Sequence, residues 1–252
     1  MGHLNKKYLL RLQGIKARYP FSKKEVLQGI NMEIKQGDFV AILGPNGAGK
    51  STLFKVIYGI LPRLAGKIFL MGREIKNPSP IFWIKEGVHY LPQGSQLFPN
   101  LSIRDNFYLA YRFLTKRQIR REIGKFFFLL KTIPSGEKIS ENFDKRAGLL
   151  SGGERQILSL GMTLMGEPKL LLLDEPTAGL TLGVSEKLFS WLKKKNAEEN
   201  LTIVVVEHNL KNVLQFSSRI FNMMYGKILE MRREDFSDIK LLRSKILGKS
   251  EG

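Results

Sequence analysis

The sequence predicts an α/β fold with a mixed sheet at its core, an antiparallel β layer beside it and a helical insertion subdomain. Three observations carry this. The apolar run Phe39-Val40-Ala41-Ile42-Leu43 leads into a glycine-rich turn and then a helical stretch, the pattern of a buried parallel strand feeding a helix. The runs Leu170 to Leu173 and Leu201 to Val206 are apolar residue after residue, so both faces need covering, as in the central strands of a helix-covered sheet. Residues 102–147 lie between these sheet-forming parts with another composition. They are mostly helical, with basic residues interleaved with aromatics.

Taken in order, Tyr8 to Leu12 and Ile30 to Ile34 read as strands of the antiparallel layer, followed by the turn Gln36-Gly37-Asp38. Phe39 to Leu43 enters the core sheet, and Ser51 to Ile60 continues as a helix. Lys67 to Leu70 and Val88 to Leu91 are further short strands. Between Arg112 and Arg146 there are ten Lys/Arg against four Asp/Glu, and Pro134-Ser135-Gly136 breaks the helical run. The predicted organisation is one domain over 6–234, with the helical subdomain at about 96–155. A charged tail, 235–252, is read as helical. No internal repeat or low-complexity tract is present.

Composition narrows the function. The 252 residues are 43% apolar and 25% charged, as in a folded globular protein. The absence of cysteine excludes disulfides, thiolate chemistry and a cysteine-ligated metal. His3, His89 and His208 are too dispersed for a histidine metal motif. No apolar run approaches the ~20 residues that span a bilayer. Arg11 interrupts the N-terminal apolar stretch too early for a signal peptide, and the residues after Gly2 do not fit the myristoylation pattern. The chain is expected in the cytosol, held at a membrane only through a partner. With 41 Lys+Arg against 23 Asp+Glu the net charge is +18, which favours anionic partners. No aromatic-basic motif of RNA-binding type accompanies it, so nucleic acid is not expected.

The chemistry is concentrated in a few segments. Gly44-Pro45-Asn46-Gly47-Ala48-Gly49-Lys50-Ser51 satisfies G-x-x-x-x-G-K-[ST], and Thr52 continues it. Glycines let backbone N–H groups close around phosphates. Lys50 then reaches the β- and γ-phosphates, Ser51 ligates Mg²⁺, and the following helix aims its positive end at the anion. Leu170-Leu171-Leu172-Leu173-Asp174-Glu175 ends a strand in two acids. Asp174 is placed for the Mg²⁺ shell and Glu175 for orienting or deprotonating a water.

Leu150-Ser151-Gly152-Gly153-Glu154 opens a second helix and forms a second anion-binding end, which one chain has little use for with a single nucleotide. The same residues also make a capping box, with Ser151 at the N-cap and Glu154 three residues on. His208 follows the strand ending at Val206, at the carboxyl edge where ligands of parallel sheets bind, and reads as a γ-phosphate sensor. Gln93, after Val88 to Leu91, is in reach of Mg²⁺ or the attacking water. Taken singly it reads as a loop polar residue, and Tyr19, which could stack on adenine, as a core-edge aromatic.

In this order and spacing, the phosphate loop, Gln93, LSGGE, LLLLDEP and Glu207-His208 resemble the ATP-binding cassette (ABC) ATPases, from about Tyr8 to Gly226. The resemblance implies the P-loop NTPase fold of ABC type. It assigns Tyr19 as the adenine-stacking aromatic, Gln93 as the Q-loop residue, Glu175 as the catalytic carboxylate and His208 as the switch histidine. Ala178-Gly179-Leu180 stands for the loop that crosses the dimer interface. Within the family, "YLPQGSQLFPNLSIRDN", "LSGGERQILSLG" and "PKLLLLDEPTAGL" are most similar to ATPase subunits of branched-chain amino acid and urea importers. Met162 after Gly161, and Thr181-Leu182 in place of Ala-Pro, depart from that pattern.

The resemblance implies ATP and Mg²⁺ as cofactors and a second ABC ATPase subunit, identical or related, as partner. It further implies transmembrane permease subunits, a substrate-binding protein, and a place on the cytoplasmic face of the membrane. The rival reading is a soluble ABC ATPase acting on nucleic acid or ribosomes, although the second cassette or long coiled-coil insertion common in such proteins is missing.

Overall fold

A computed structural model describes residues 8–94, 96–111, 115–236, 238–240, 242 and 243. Strands β1 (Leu10–Ala17), β2 (Leu27–Ile34), β4 (Ala65–Leu70) and β5 (Arg73–Glu74) form an antiparallel layer in the order β2-β1-β4-β5. The central sheet contains β3 (Phe39–Leu43), β6 (Val88–Leu91), β7 (Leu170–Asp174), β8 (Thr202–Val206), β9 (Arg219–Met224) and β10 (Lys227–Glu230), in the order β10-β9-β3-β8-β7-β6. All pairings are parallel except β9 with β10.

Alternate side chains of the central strands feed two separate cores. Val40, Ile42, Leu170, Leu172, Val204 and Val206 pack with the antiparallel layer and helix α1 (Lys50–Ile57). Phe39, Leu43, Leu171, Leu173, Ile203 and Val205 face the other way. There they pack with α6 (Gly152–Leu164), α7 (Leu182–Glu199) and α8 (Leu210–Phe216). Two buried faces explain why these strands read apolar at every position rather than at every second one. Their carboxyl ends all open on the same edge of the sheet, where the candidate site lies.

The insertion comprises α3 (Ile103–Ala110), α4 (Lys116–Thr132) and α5 (Glu137–Glu141), broken at Ser135, whose φ is 66°. Its aromatics extend the core on that second face of the sheet. The Phe107 ring lies 5.0 Å from that of Phe126, and Phe127 meets Phe143 edge-on at 4.7 Å. The interleaving seen in the sequence is thus an amphipathic helix, with Phe126 turned inward and most cations, together with Phe128, turned out.

Several boundaries differ from expectation. β1 runs on from Leu12 to Ala17 because Gly14, at φ 59°, accommodates an irregularity opposite β2. α1 ends at Ile57 rather than Ile60, with Gly59 at φ 74° turning the chain away. Helix α2 (Pro80–Glu86), capped by the Ser79 hydroxyl accepting from the Phe82 N–H, joins the strands on either side. The β9–β10 hairpin closes the sheet edge through Tyr225-Gly226, both at positive φ, as a two-residue I′ turn requires. The predicted tail helix, 235–252, lies largely outside the described residues, as does the start of the domain at residue 6. Among the described residues no helix is long and apolar enough to cross a membrane.

Candidate functional site

The loop after β3 gathers the site. Gly44 is buried, and a Cβ there would stand 2.0 Å from the Met223 carbonyl oxygen of β9. Its φ of 144° lies in a region that side chains avoid. The sheet therefore forces glycine at the first position. Gly47, at φ 78°, has nothing within 4 Å of its would-be Cβ, leaving the loop's open side clear for a ligand. Lys50 folds over the loop. Its Nζ donates to the carbonyls of Gly44 at 2.7 Å and Pro45 at 3.0 Å, which holds the ammonium at the start of α1, where the helix dipole is also positive.

An open cleft of about 650 Å³ follows from this arrangement. It is lined by Asn46, Gly47, Gly49, Lys50, Ser51 and Thr52 from the loop and helix start, and by Tyr19, Val26, Gln93, Glu175 and His208 from other elements. Five separate chain segments thus meet at one place. Gly44 and Pro45 support it from behind through their carbonyls, while Ala48 is buried and accepts the Gly226 N–H.

Glu175 is the centre of the polar network. Gln93 Nε2 donates to its Oε2 at 2.9 Å, and His208 Nε2 lies 3.0 Å from its Oε1. An ionised carboxylate only accepts, so the imidazole Nε2–H is the donor. The residue sits at φ 52°, a left-handed conformation that costs a non-glycine side chain ~1–2 kcal/mol. Its N–H is anchored on the Val206 carbonyl at 2.9 Å. The strain turns the carboxylate off the end of β7 and toward the cleft.

Asp174, one residue earlier, is 1% exposed. Burial raises its carboxyl above the ordinary value; a hydrogen bond from Ser51 opposes this, and the Glu175 charge adds to the rise. Burial conversely lowers the Lys50 ammonium, with the Glu175 and Asp174 charges opposing. Asp174 Oδ1 is buried with no hydrogen-bond partner, and Tyr90 makes a long 3.5 Å contact to Oδ2. A hard oxygen without a donor, beside the Ser51 hydroxyl, fits a hard cation such as Mg²⁺. No cluster of three His, Cys, Asp or Glu could hold a metal alone among the described residues, so such an ion would share its shell with ligand oxygens.

Tyr19 stands in the loop after β1. Its hydroxyl bonds Thr52 Oγ1 at 3.1 Å, and Lys55 Nζ lies 6.0 Å from the ring centroid. It is 40% exposed, an aromatic wall at the cleft mouth.

Ser151, Gly152, Gly153 and Glu154 do not line the cleft. The capping box is complete: Ser151 Oγ accepts the Glu154 N–H at 3.2 Å, and Glu154 Oε2 accepts the Ser151 N–H at 2.8 Å. That second bond holds the Glu154 carboxyl below its ordinary value. The two glycines differ in role. A Cβ on Gly153 would come within 3.3 Å of Leu180 and Gly179, so its bareness serves packing against the loop after Glu175. Gly152 faces open space.

For three residues the contacts go beyond what the sequence shows, although Glu207 and Gln156 lie in motifs already named. Gln156 reaches the Glu175 carbonyl at 3.4 Å. Tyr90 backs Asp174, its hydroxyl pushed up by burial first and by the Asp174 charge; a buried tyrosine needs a polar partner, and that was its only signal. Buried Glu207 accepts from Thr177 Oγ1 at 2.7 Å and from the N–H groups of His208 and Asn209, fixing the His208 loop.

Comparison with known proteins agrees with this geometry. The ABC transporter family description matches residues 27–178. The chain is 33% identical over 217 residues to a probable branched-chain amino acid transport ATP-binding protein, LivF, of Archaeoglobus fulgidus, covering 86% of this chain and 89% of that one. Its structure resembles the ADP conformation of MJ1267, an ATP-binding cassette of an ABC transporter. There the TM-score is 0.77 at 28% identity, over 95% of this chain and 98% of the other. It also resembles the dimeric structure of MJ0796, a bacterial ABC transporter cassette, with a TM-score of 0.76 at 25% identity, covering 88% and 99%.

Proposed function

The chain belongs to the ABC transporter family, and from that premise we propose how its residues bind and hydrolyse ATP and what they drive. It is an ATP-binding, ATP-hydrolysing subunit of an ABC transporter. The observation that carries the mechanism is the separation of two anion-grasping ends: the Lys50 loop lines the cleft, whereas the exposed Ser151 helix start does not.

The loop N–H groups and Lys50 hold the phosphates, and Tyr19 supports the adenine at the cleft mouth. Ser51 and Asp174 would hold Mg²⁺, and Gln93 would be a further contact to the ion or to the attacking water. When bound, the ion neutralises charge on the β- and γ-phosphates. Glu175 orients and accepts a proton from the attacking water, and His208 contacts the γ-phosphate. Phosphoryl transfer asks for little covalent work, so positioning and charge supply most of the rate. Gln93 and His208 both hold Glu175 here, which makes the carboxylate the point through which nucleotide state reaches two loops.

The Ser151 end needs a second nucleotide, and a second subunit arranged head to tail supplies one. Each ATP is then clamped between one phosphate loop and the partner's Ser151 segment. Closure moves the Gln93 loop and the helical insertion against permease subunits at the cytoplasmic face of the membrane. The similarity to LivF favours import of branched-chain amino acids or a similar small polar solute, delivered by a substrate-binding protein. Affinity capture of the full chain from its native membranes tests this reading. Permease subunits are expected in the captured complex; ribosomes or RNA in their place, with RNA-stimulated turnover, would move the protein to the soluble branch of the family.

A further inference from the structure

The basic insertion has a feature that ATP chemistry does not use. On the 17-residue helix α4, about 25 Å long, Arg117, Arg120, Arg121, Gly124, Phe128 and Lys131 are all exposed. They follow one another at three- or four-residue steps, or one apart, so they share one face. The opposite face, with Ile119, Phe126 and Leu130, is buried in the core that continues under the central sheet.

No acid stands on the outer face. Glu122, the helix's one carboxylate, is 8% exposed and turned inward between Arg121 at 3.4 Å and Lys125 at 3.5 Å. Arg117, Arg120 and Lys131 have no acidic partner among the described residues. Phe128, on the same face and one turn before Lys131, is 74% exposed, and Gly124 one turn before it leaves space that no side chain fills. Three cations without an acidic partner, on the same face as a solvent-facing aromatic, give this surface a one-signed field. It suits a surface that is anionic outside and apolar just beneath.

We propose that the outer face of α4 docks on a bilayer surface rich in anionic phospholipid. The cations meet headgroup phosphates and Phe128 enters the boundary with the acyl chains. Charge complementarity carries the choice, and the partner is within reach because the chain works beside a permease; the proposal rests on that reading. Single-stranded nucleic acid would share the phosphates and the ring stacking. A straight helical face with one aromatic, however, offers no run of stacking platforms for successive bases.

The test uses the full chain and sedimentation with phosphatidylcholine vesicles, with and without a third phosphatidylglycerol. Binding to the anionic vesicles only is expected, weakening with salt as the charges are screened. The variant R117E/R120E/K131E should lose roughly 100-fold or more in partitioning, from three reversed charges near the surface, and Phe128→Ala should lose several-fold. The matched variant K76E/K85E/K187E carries the same net charge on other exposed elements and should keep its binding. ATP affinity and turnover should be unchanged in all of these, which separates failure here from failure of the ATPase reading. The proposal is overturned if neutral vesicles bind equally, if no vesicles bind, or if the matched variant loses as much. It is overturned too if an oligouridine probe competes with vesicles for the same face.

Discussion

Ser151 is a helix cap and, in the function proposed above, a phosphate contact in trans, and one pair of substitutions separates the two. In the free chain it is an N-cap: its hydroxyl accepts the Glu154 N–H, and the reciprocal bond from the Ser151 N–H to Glu154 survives truncation. Ser151→Ala therefore removes half of a capping box, at a cost of about 1 kcal/mol. In a chain of this size that lowers Tm by roughly 2–4 °C. If the hydroxyl also grasps a phosphate held by the partner subunit, a hydrogen bond to a charged group is lost as well. That bond is worth about 1.5–3 kcal/mol, or roughly 10- to 100-fold in turnover.

Ser151→Asp splits the two effects further. Aspartate caps as well as serine and favours the positive helix end, so Tm should hold. Its charge faces the phosphate in the closed dimer, so closure and hydrolysis should fail. The assay is phosphate release at saturating ATP over a series of protein concentrations, with Tm measured in parallel. A Ser151→Asp protein that hydrolyses ATP at the wild-type rate would refute the trans-acting role and leave only the cap.

Further outcomes follow from the site. Gly44→Ala puts a Cβ 2.0 Å from the Met223 carbonyl and should cost about 2 kcal/mol or more through backbone displacement, seen as a lower midpoint in urea even without nucleotide. Lys50→Ala removes the ammonium held over the loop and should abolish nucleotide binding, read by loss of fluorescent-ATP titration. The carboxyl of Asp174 is raised by burial above its ordinary 3.8. The folded state thus holds that proton more tightly than the unfolded chain, and the associated stability is present below 3.8 and lost as pH rises through the raised value. Asp174→Asn should accordingly show a higher nucleotide-free Tm than wild type at neutral pH, a gap that closes in acid, with hydrolysis lost throughout.

The central strands and the phosphate loop were legible because their constraints are local. Phe39 to Leu43 and Leu170 to Leu173 must be apolar on both faces, and Gly44 to Ser51 must present backbone to phosphate. The convergence of Gln93 and His208 on one carboxylate was not, since it depends on three strand ends lying side by side and on Glu175 accepting a left-handed backbone. The β9–β10 hairpin went unread because Arg219 to Glu230 mixes charged and apolar residues, and an exposed edge strand leaves only Tyr225-Gly226 as a turn signal. Tyr19 reads from its neighbours as a core-edge aromatic; it stands in the loop after β1, where its hydroxyl is tied to Thr52. The basic stretch in the insertion was visible as composition. That its cations share one face, with the only acid of α4 turned inward, needed the helix register.

The central claim is that Glu175 drives hydrolysis in a nucleotide-bridged dimer. Its most direct test is sedimentation of Glu175→Gln with ATP and Mg²⁺, beside a phosphate-release assay. Glutamine can keep one contact to Gln93 or His208 but cannot take the water's proton, which should reduce turnover by about 10²–10⁴-fold. The account expects a stable dimer holding uncleaved ATP. A protein that stays monomeric and retains full turnover would contradict it.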